Sequence, residues 1–300
     1  MIDCPICHKS VKLLLDKAKD YFILNGNSPD FKIFNCESCG LASSQPDLTD
    51  EELKDYYPEE YEAYVQKKSL EGFLQILKYQ SDLKLIKKIV AKERASLFEV
   101  GAGRGEFLAQ AKKNGFDVSG LEPSAAGRRA AKNLFNIELL DGFADKLNLK
   151  EKYDVIVMRH VFEHIGDPVR ILKIIKSGLA NNGIIFLKLP RLDSWEAKVF
   201  KKYWHGYDLP RHRFHYSAKG IIKMLKNSGF DLIKIKQENV PSDIIRSLKY
   251  YNLGEHNFLS RLIKVYLFLP SIIKLILAQL AAIVLSPFIS GRMIVVAKYR

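Results

Sequence analysis

The sequence predicts an α/β protein whose core is a doubly wound sheet of seven strands, mostly parallel, with the last strand antiparallel. A small cysteine-rich module is predicted before this core, and a hydrophobic helical insertion before its last strand. Three observations support this fold class. Short apolar strands alternate with helices from residue 96 onward, two C-x-x-C pairs lie within the first 39 residues, and a long apolar stretch precedes the last strand. Alternating strands and helices favour a parallel sheet that binds ligands at the carboxyl ends of its strands.

The composition suits a catalytic domain with an accessory module. The chain has 300 residues, 47% hydrophobic and 27% charged, so it can bury a sizeable core. Its net charge of +13 favours an acidic partner, such as nucleic acid, an anionic membrane surface or a phosphorylated substrate. The alternative is a lysine-rich surface that contacts only water. The N-terminus has no basic region followed by an apolar one, so no secretory signal is expected and we predict a cytoplasmic protein.

The four cysteines predict a zinc ribbon over residues 1–46. Cys4 and Cys7 form one C-x-x-C pair, Cys36 and Cys39 form the other, and 28 residues separate the pairs. Four thiolates complete a tetrahedral Zn²⁺ site with no open position, so the metal would be structural. Two redox-active dithiols are the alternative.

The core is predicted to follow linker helices at residues 47–95. Thr49 and Glu52 have the spacing of a capping box, which begins a short helix that ends at Tyr56, Tyr57 and Pro58. A longer helix is predicted at 70–94. The core itself covers residues 96–241, and residues 292–300 supply its final strand. Its strands are predicted at 96–100, 117–121, 137–140, 154–158, 183–189, 232–237 and 292–299.

A glycine-rich turn after the first core strand is the predicted ligand site. Gly101, Gly103 and Gly105 have the spacing G-x-G-x-G, which lets a ligand approach bare backbone. Glu99 precedes the turn, and Glu122 ends the next strand, where a carboxylate can accept two ribose hydroxyls. An NAD-type site is the rival prediction, although its G-x-G-x-x-G fingerprint lacks the third glycine here.

The segments beyond this turn resemble class I S-adenosylmethionine-dependent methyltransferases. Residues 153–168 are similar to the family's fourth strand and its H-x-L-E-H loop, and residues 183–190 are similar to its fifth strand, with Asn182 in place of a glycine. The resemblance implies a Rossmann-like fold and S-adenosylmethionine as cofactor, with Glu99 at the methionine amino group, Glu122 at the ribose and Phe143 against the adenine. The implied cofactor-binding residues are Glu99, Gly101, Gly103, Gly105, Glu122, Phe143 and Met158.

Three histidines are the candidate catalytic bases: His160, His164 and His212. The first two also fit the H-x-x-E-H pattern of inverted zinc proteases, which requires a helix, whereas this segment follows a strand. Together with Glu163 they could instead bind a divalent metal or brace the loop.

His212 lies in a polar, aromatic segment at 204–217, which resembles the acceptor lid of a zinc-ribbon subgroup of these enzymes. In that lid, Arg211 and Arg213 suit a phosphate or carboxylate. A surface loop without a ligand is the alternative.

The resemblance implies methylation of an O or C atom of a small-molecule or lipid-linked sugar acceptor, as in bacterial polysaccharide biosynthesis. The alternative is an RNA methyltransferase that binds RNA through the ribbon and the basic surface. It ranks second because Met158, Arg159 and His160 stand where base-modifying enzymes have Asn/Asp-Pro-Pro-aromatic, and no cysteine remains outside the ribbon. A degenerate binding module is the non-enzymatic alternative.

Residues 242–291 predict a hydrophobic helical hairpin inserted between the last two strands. Residues 258–289 are almost all apolar, and Pro270 divides them into two helices too short to span a bilayer. A single span is excluded because the chain must return to the sheet. The hairpin is therefore predicted either to dock on the anionic inner face of a membrane or to form a hydrophobic cap or dimer surface, and its basic flanks favour the membrane.

Overall fold

The computed structural model describes residues 3–57, 70–149, 151–284 and 290–299. These residues divide into two compact units. One contains Met1–Tyr56, Lys188–Met224 and Ile235–Ile294, and the other contains Tyr57–Leu187, Leu225–Lys234 and Val295–Arg300. The predicted boundary near residue 46 therefore does not separate compact units, because the ribbon shares its unit with residues 204–217 and with the hydrophobic helices.

The first unit is built on a four-stranded antiparallel sheet. Its strands are β1 (Lys12–Ala18), β2 (Phe31–Asn35), β3 (Leu41–Gln45) and β9 (Phe214–Tyr216), and the spatial order is β1-β2-β3-β9. Strand β3 pairs with β9 in the register Leu41 with Tyr216 and Ser43 with Phe214. This pairing joins the ribbon to the segment that contains His212, a contact that the sequence spacing did not predict.

Among the described residues, six α-helices belong wholly or mostly to the first unit. Thr49 caps the first of them through the predicted capping box, since its hydroxyl accepts from the Glu52 amide and the Glu52 carboxylate accepts from the Thr49 amide. The helices are α1 (Asp50–Lys54), α6 (Trp195–Phe200), α7 (Ala218–Asn227), α8 (Pro241–Gly254), α9 (Phe258–Phe268) and α10 (Ser271–Val284).

The predicted hydrophobic hairpin is a group of three helices. Pro270 separates α9 from α10 as expected, and both pack against α8. The last apolar residues of the predicted segment, 285–289, and the predicted helix stop at Pro58 lie outside the described residues. Among the helices that the structure does describe, none combines the length and hydrophobicity that crossing a bilayer would require.

The second unit contains most of a seven-stranded sheet in the order β10-β11-β8-β7-β4-β5-β6. The pairs β4–β5, β4–β7 and β5–β6 are parallel, and the last strands are antiparallel. The strands are β4 (Ser96–Val100), β5 (Asp117–Glu122), β6 (Leu140–Asp141), β7 (Tyr153–Arg159), β8 (Leu179–Pro190), β10 (Phe230–Glu238) and β11 (Arg292–Tyr299).

Four helices cover this sheet: α2 (Leu70–Val90), α3 (Glu106–Lys113), α4 (Ala125–Phe135) and α5 (Pro168–Gly178). The third strand was predicted at 137–140, and this was wrong. Asn136 ends α4 in a left-handed conformation, and the Ile137 amide donates to the Ala131 carbonyl, so Ile137 belongs to the helix end and the strand begins only at Leu140.

Candidate functional site

The glycine turn connects β4 to α3 and is held by backbone hydrogen bonds. The amides of Gly101 and Ala102 donate to the Leu121 carbonyl at 2.8 and 3.0 Å. Gly101 has a φ of 71°, and a Cβ at this position would lie 2.5 Å from a methyl group of Val161. Both the backbone conformation and the close approach of the next loop therefore require glycine.

Glu122 fixes the middle of this turn from the end of β5. One carboxylate oxygen accepts from the Gly103 amide at 2.7 Å, and the other accepts from the Ser124 amide at 2.9 Å. The carboxyl group is buried, and burial raises its pKa although the two amides oppose the shift. The residue predicted to bind a ribose thus also holds the backbone of the turn.

Glu99 lies beneath the turn as a buried carboxylate with one cationic neighbour. Its Oε1 atom is 3.5 Å from Nη1 of Arg159, and its Oε2 atom accepts no hydrogen bond from the described residues. Burial raises the pKa of Glu99 to about 8, and the opposing charge of Arg159 reduces that shift only in part. At neutral pH the acid is therefore mostly protonated in spite of this neighbouring cation.

Arg159 was not among the predicted site residues. Its guanidinium lies between two aromatic rings, 4.3 Å from the ring centre of Tyr79 and 4.6 Å from that of Phe107. Cation–π contacts of this kind hold a buried arginine in place. The only sequence signal was a single basic residue at the end of the apolar strand β7, and nothing in the sequence linked it to Tyr79 on α2.

The loop after β7 contains two of the predicted histidines and contacts the glycine turn through Val161. Val161 in this loop faces Gly101, as described above. His160 has a φ of 57°, and its Nδ1 atom lies 3.5 Å from Oε1 of the buried Glu163. His164 is half-buried, and its Nδ1 atom shares a hydrogen bond of 3.0 Å with the Tyr57 hydroxyl.

The last two predicted cofactor residues differ in exposure. Phe143 follows β6, and 61% of it is exposed, so its ring can stack on a planar ligand. Met158 is fully buried opposite Val100 in the pairing of β7 with β4. Its side chain belongs to the sheet core.

In the first unit, Arg211 lies in a buried ion-pair network. All five of its N–H groups donate, to the carboxylates of Asp20 and Asp208 at 2.7–3.1 Å and to the Tyr56 carbonyl at 3.2 Å. Burial alone would raise the pKa of Asp208, but the guanidinium overrides it and lowers that pKa. The hypothesis that Arg211 binds an anionic acceptor was wrong, because no donor remains for one.

Arg213 also has hydrogen-bond partners within the protein. Its guanidinium donates to Asp47 at 2.9 Å and to the Leu48 carbonyl at 2.9 Å. The two arginines of the predicted lid thus anchor this segment to residues 20–56 of the same unit.

His212 is buried in the same segment. Its Nδ1 atom is 2.9 Å from the Gly206 carbonyl, which can only accept, so Nδ1 carries the proton and Nε2 holds the lone pair. Burial lowers the pKa of His212, although Asp208 opposes the shift. Burial thus favours the neutral ring, and its Nε2 atom lies 3.7 Å from Oδ2 of Asp208.

The four cysteines meet in one cluster, and their ligand atoms all lie within 4.8 Å of one another. The sulfurs of Cys4 and Cys39 are 3.6 Å apart, and those of Cys7 and Cys36 are 3.4 Å apart. Tetrahedral zinc with Zn–S bonds of about 2.3 Å would set these separations near 3.8 Å. The donor set and its geometry therefore fit a structural zinc ion.

The second pair of cysteines adjoins the start of α7. The Ser217 hydroxyl donates to the Gly40 carbonyl at 2.7 Å and accepts from the Gly220 amide at 3.0 Å. A Cβ on Gly220 would lie 2.5 Å from the Gly40 carbonyl oxygen. The cysteine cluster thus adjoins the helix that follows the His212 segment, because Gly40 contacts the backbone of Gly220.

Comparisons with known proteins agree with this geometry. A family model described as a methyltransferase domain matches residues 73–235. An uncharacterized protein of Methanocaldococcus jannaschii is 26% identical over 185 residues, which cover 61% of this chain and 83% of that protein. A tRNA U34 carboxymethyltransferase of Campylobacter jejuni is 33% identical over 97 residues, but these cover only 30% of this chain and 33% of that enzyme.

Among solved structures, a putative sarcosine dimethylglycine methyltransferase of Galdieria sulphuraria has a similar fold. The TM-score is 0.51 with 12% sequence identity, over 81% of this chain and 91% of that one. At this identity the similarity concerns the fold alone.

The Arg211 network yields a prediction about stability. Arg211→Met should lower the free energy of unfolding by about 3–5 kcal/mol, because it leaves two buried carboxylates without their cation. The matched change Arg213→Met should cost at most about 1 kcal/mol, because its partner Asp47 is exposed. Urea denaturation measures the free energy of unfolding of both variants. An equal decrease in the two would show that the buried ion pairs of Arg211 contribute no more to stability than the exposed pair of Arg213.

Proposed function

Because the chain belongs to the family of methyltransferase domains, we propose that it transfers the methyl group of S-adenosylmethionine to an O or C atom of a small-molecule or lipid-linked sugar acceptor. The observation that carries the proposal is the glycine turn with a buried carboxylate on each side, Glu99 and Glu122. A tight turn supplies bare backbone to a ligand, and the two acids supply acceptors for its ammonium and hydroxyl groups.

The residues of the turn fit this cofactor. Glu99 offers a buried oxygen that accepts no hydrogen bond from the described residues, which matches the ammonium group of a methionine moiety. Glu122 keeps lone pairs beyond the two that the amides of Gly103 and Ser124 occupy, which match ribose hydroxyls. Phe143 is exposed enough to stack against the adenine ring.

When bound, S-adenosylmethionine supplies an electrophilic methyl group for in-line transfer. The protein's contribution is to orient the two reactants and to remove a proton from the acceptor. We propose His160 as the base, because it adjoins the glycine turn and its Nδ1 atom faces the Glu163 carboxylate. A proton on Nδ1 leaves Nε2 as the basic atom. His164 and His212 are the alternative bases.

The net charge of residues 1–46 favours the proposed sugar acceptor over an RNA acceptor. Residues 1–46 contain five lysines and five acidic residues, so this segment has no net positive charge. Its lysines also have acidic neighbours: Lys12 is 2.9 Å from Glu37, and Lys32 is 3.7 Å from Asp16. A surface that binds RNA phosphates needs an excess of basic groups, and the cysteine cluster leaves no thiol for nucleophilic attack on a base.

We propose that zinc in the cysteine cluster has a structural role in the lid. Cys4, Cys7, Cys36 and Cys39 would fill all four coordination positions, so the ion would take no part in methyl transfer. Its effect on activity would pass through the Gly40–Ser217 contact and the β3–β9 pairing described above.

Cofactor binding by Glu99 should depend on pH. In the free protein the carboxyl is protonated below its pKa of about 8, and an ammonium group favours the ionised form, so binding must release a proton. The affinity for S-adenosylmethionine should therefore rise from pH 6 to pH 8, by up to roughly tenfold per pH unit. Titration calorimetry in buffers of different ionisation enthalpy measures both the affinity and the proton release.

Glu99→Gln should bind weakly and without this pH dependence. The exposed Glu151→Gln is the matched control and should behave as the wild type. An affinity of the wild type that stays constant from pH 6 to pH 8 would contradict the role of Glu99.

Replacement of the base should slow methyl transfer without weakening cofactor binding. His160→Asn should lower the rate by about 10²–10⁴-fold, with the dissociation constant for S-adenosylmethionine unchanged. The assay follows deuterated methyl groups from labelled cofactor into lipid and glycan extracts by mass spectrometry, which also identifies the acceptor. His164→Asn and His212→Asn are compared in parallel, and exposed His256→Asn is the control. A larger loss in one of the parallel variants would transfer the role to that histidine, and label found only in RNA would overturn the acceptor class.

Removal of zinc should loosen the lid. The purified protein should contain one zinc ion per chain by plasma mass spectrometry, and Cys39→Ser should reduce this content. Chelation should increase hydrogen exchange in β9 as well as in the ribbon, because β9 pairs with β3. Ser10→Ala, which changes a ribbon residue outside the cluster, is the control. Unchanged exchange in β9 after metal removal would refute the coupling.

A further inference from the structure

Helices α9 and α10 expose apolar side chains along one stripe of each helix. On α9 these are Phe258, Leu262 and Val265, with the spacing i, i+4, i+7, and on α10 they are Ile272, Ile276 and Leu280, with the spacing i, i+4, i+8. Each of the six is more than half exposed, and Phe258 reaches 73%. We call these six residues the apolar face.

The apolar face is distinct from the packed side of the same helices. Ser260 and Ile263 on α9 and Ala278 on α10 are buried, and both helices pack against α8. Residues two positions apart lie on nearly opposite sides of a helix. Ser260 therefore faces away from Phe258, and Ile263 faces away from Val265. The apolar face is therefore separate from the side of these helices that packs inside the unit.

Basic residues border the apolar face, and acidic residues are absent from this part of the sequence. Arg261 and Lys264 are exposed on α9 and make no ion pair with any residue that the structure describes. Residues 256–300 contain no aspartate or glutamate, and residues 241–300 carry eight of the lysines and arginines against two acids. The last fifth of the chain thus carries nearly half of the net charge of +13.

We propose that the apolar face docks on the surface of an anionic lipid bilayer, with α9 and α10 lying in the plane of the interface. Two short helices with apolar stripes match this mode, since α9 has 11 residues and α10 has 14, which is too few for either to cross the membrane. The apolar side chains enter the boundary of the acyl chains, while Arg261 and Lys264 reach the phosphate groups.

Charge complementarity favours a bilayer over a second copy of the chain. A twofold dimer brings the same surface patch of both copies together. Here it would place Arg261 and Lys264 of both copies around one apolar contact, with no acidic residue of the segment to balance them. An anionic membrane supplies both the apolar environment and the opposite charge.

The docking surface specifies the acceptor of the proposed methyl transfer more closely, and this part of the inference rests on the proposed function. An enzyme held at a bilayer surface meets acceptors that are themselves anchored there, which favours the lipid-linked sugars over the freely diffusing ones. The vesicle experiment below requires no methyl transfer, and its outcome is therefore independent of the acceptor and of the cofactor.

The test is flotation of the full-length, zinc-loaded protein with vesicles of phosphatidylglycerol and phosphatidylcholine, compared with phosphatidylcholine alone. The wild type should partition at least about tenfold more strongly to the anionic vesicles, because each basic residue near such a surface contributes roughly fivefold. High salt should remove most of this difference.

Two variants separate the contributions. Val265→Glu/Ile276→Glu removes two apolar anchors and should weaken binding to the anionic vesicles at least about tenfold. Arg261→Gln/Lys264→Gln should weaken binding to the anionic vesicles by roughly an order of magnitude and leave the small affinity for phosphatidylcholine unchanged.

The matched control is Leu134→Glu/Val199→Glu. It adds the same charge at two exposed apolar residues outside the face and should bind vesicles nearly as well as the wild type. Titration with S-adenosylmethionine reports whether every variant is folded, and a failure of that titration in the wild type would bear on the proposed function alone.

Three results would overturn the docking proposal. These are equal partitioning of the wild type to both kinds of vesicle, no partitioning to either, and a dimer in sedimentation that dissociates in Val265→Glu/Ile276→Glu while vesicles are not bound. The last result would assign the apolar face to a second copy of the chain.

Discussion

The buried Arg211 cation is the interaction on which the first unit depends. This unit is assembled from three separate stretches of the sequence, and Arg211 in the second stretch is bound to Asp20 and the Tyr56 carbonyl in the first. The second and third stretches are joined at His205, whose backbone amide donates to the Ser247 hydroxyl at 3.0 Å. Buried ion pairs add little net stability over apolar packing, but an arrangement that leaves one buried partner without its counter-charge costs about 3–5 kcal/mol. They therefore fix which stretches come together.

In the second unit, the buried acid Glu99 is not fully neutralised by its cationic neighbour. Glu99 is held by burial in an uncharged form, and the aromatic rings of Tyr79 and Phe107 hold its partner Arg159. An acid kept neutral in this way destabilises the free protein at neutral pH relative to an amide of the same shape, because the unfolded chain would ionise it. The buried Glu99 thus lowers the stability of the second unit at neutral pH. Strongly shifted pKa values of this kind cluster at functional sites.

Features set by short-range rules could be predicted from the sequence. The capping box at Thr49 depends on two residues three positions apart, and the glycine turn follows from the positive φ angles that its own glycines adopt. The strand Arg292–Tyr299 is an apolar run bounded by basic residues. Features that depend on distant partners could not. The aromatic cage of Arg159 comes from α2 and α3, and the partner Asp20 of Arg211 lies 191 residues away along the chain. An arginine in a polar loop looks the same in the sequence whether it binds a ligand or a buried carboxylate.

The contact between Gly40 and Gly220 has a consequence for how this protein can change over evolution. The two residues are 180 positions apart in the sequence. A side chain on Gly220 would force apart two backbone segments, one beside the cysteine cluster and the other at the start of α7. Residues 36–40 and 217–220 are therefore constrained as one unit. A substitution that moves the backbone of either segment is expected to need a compensating change in the other.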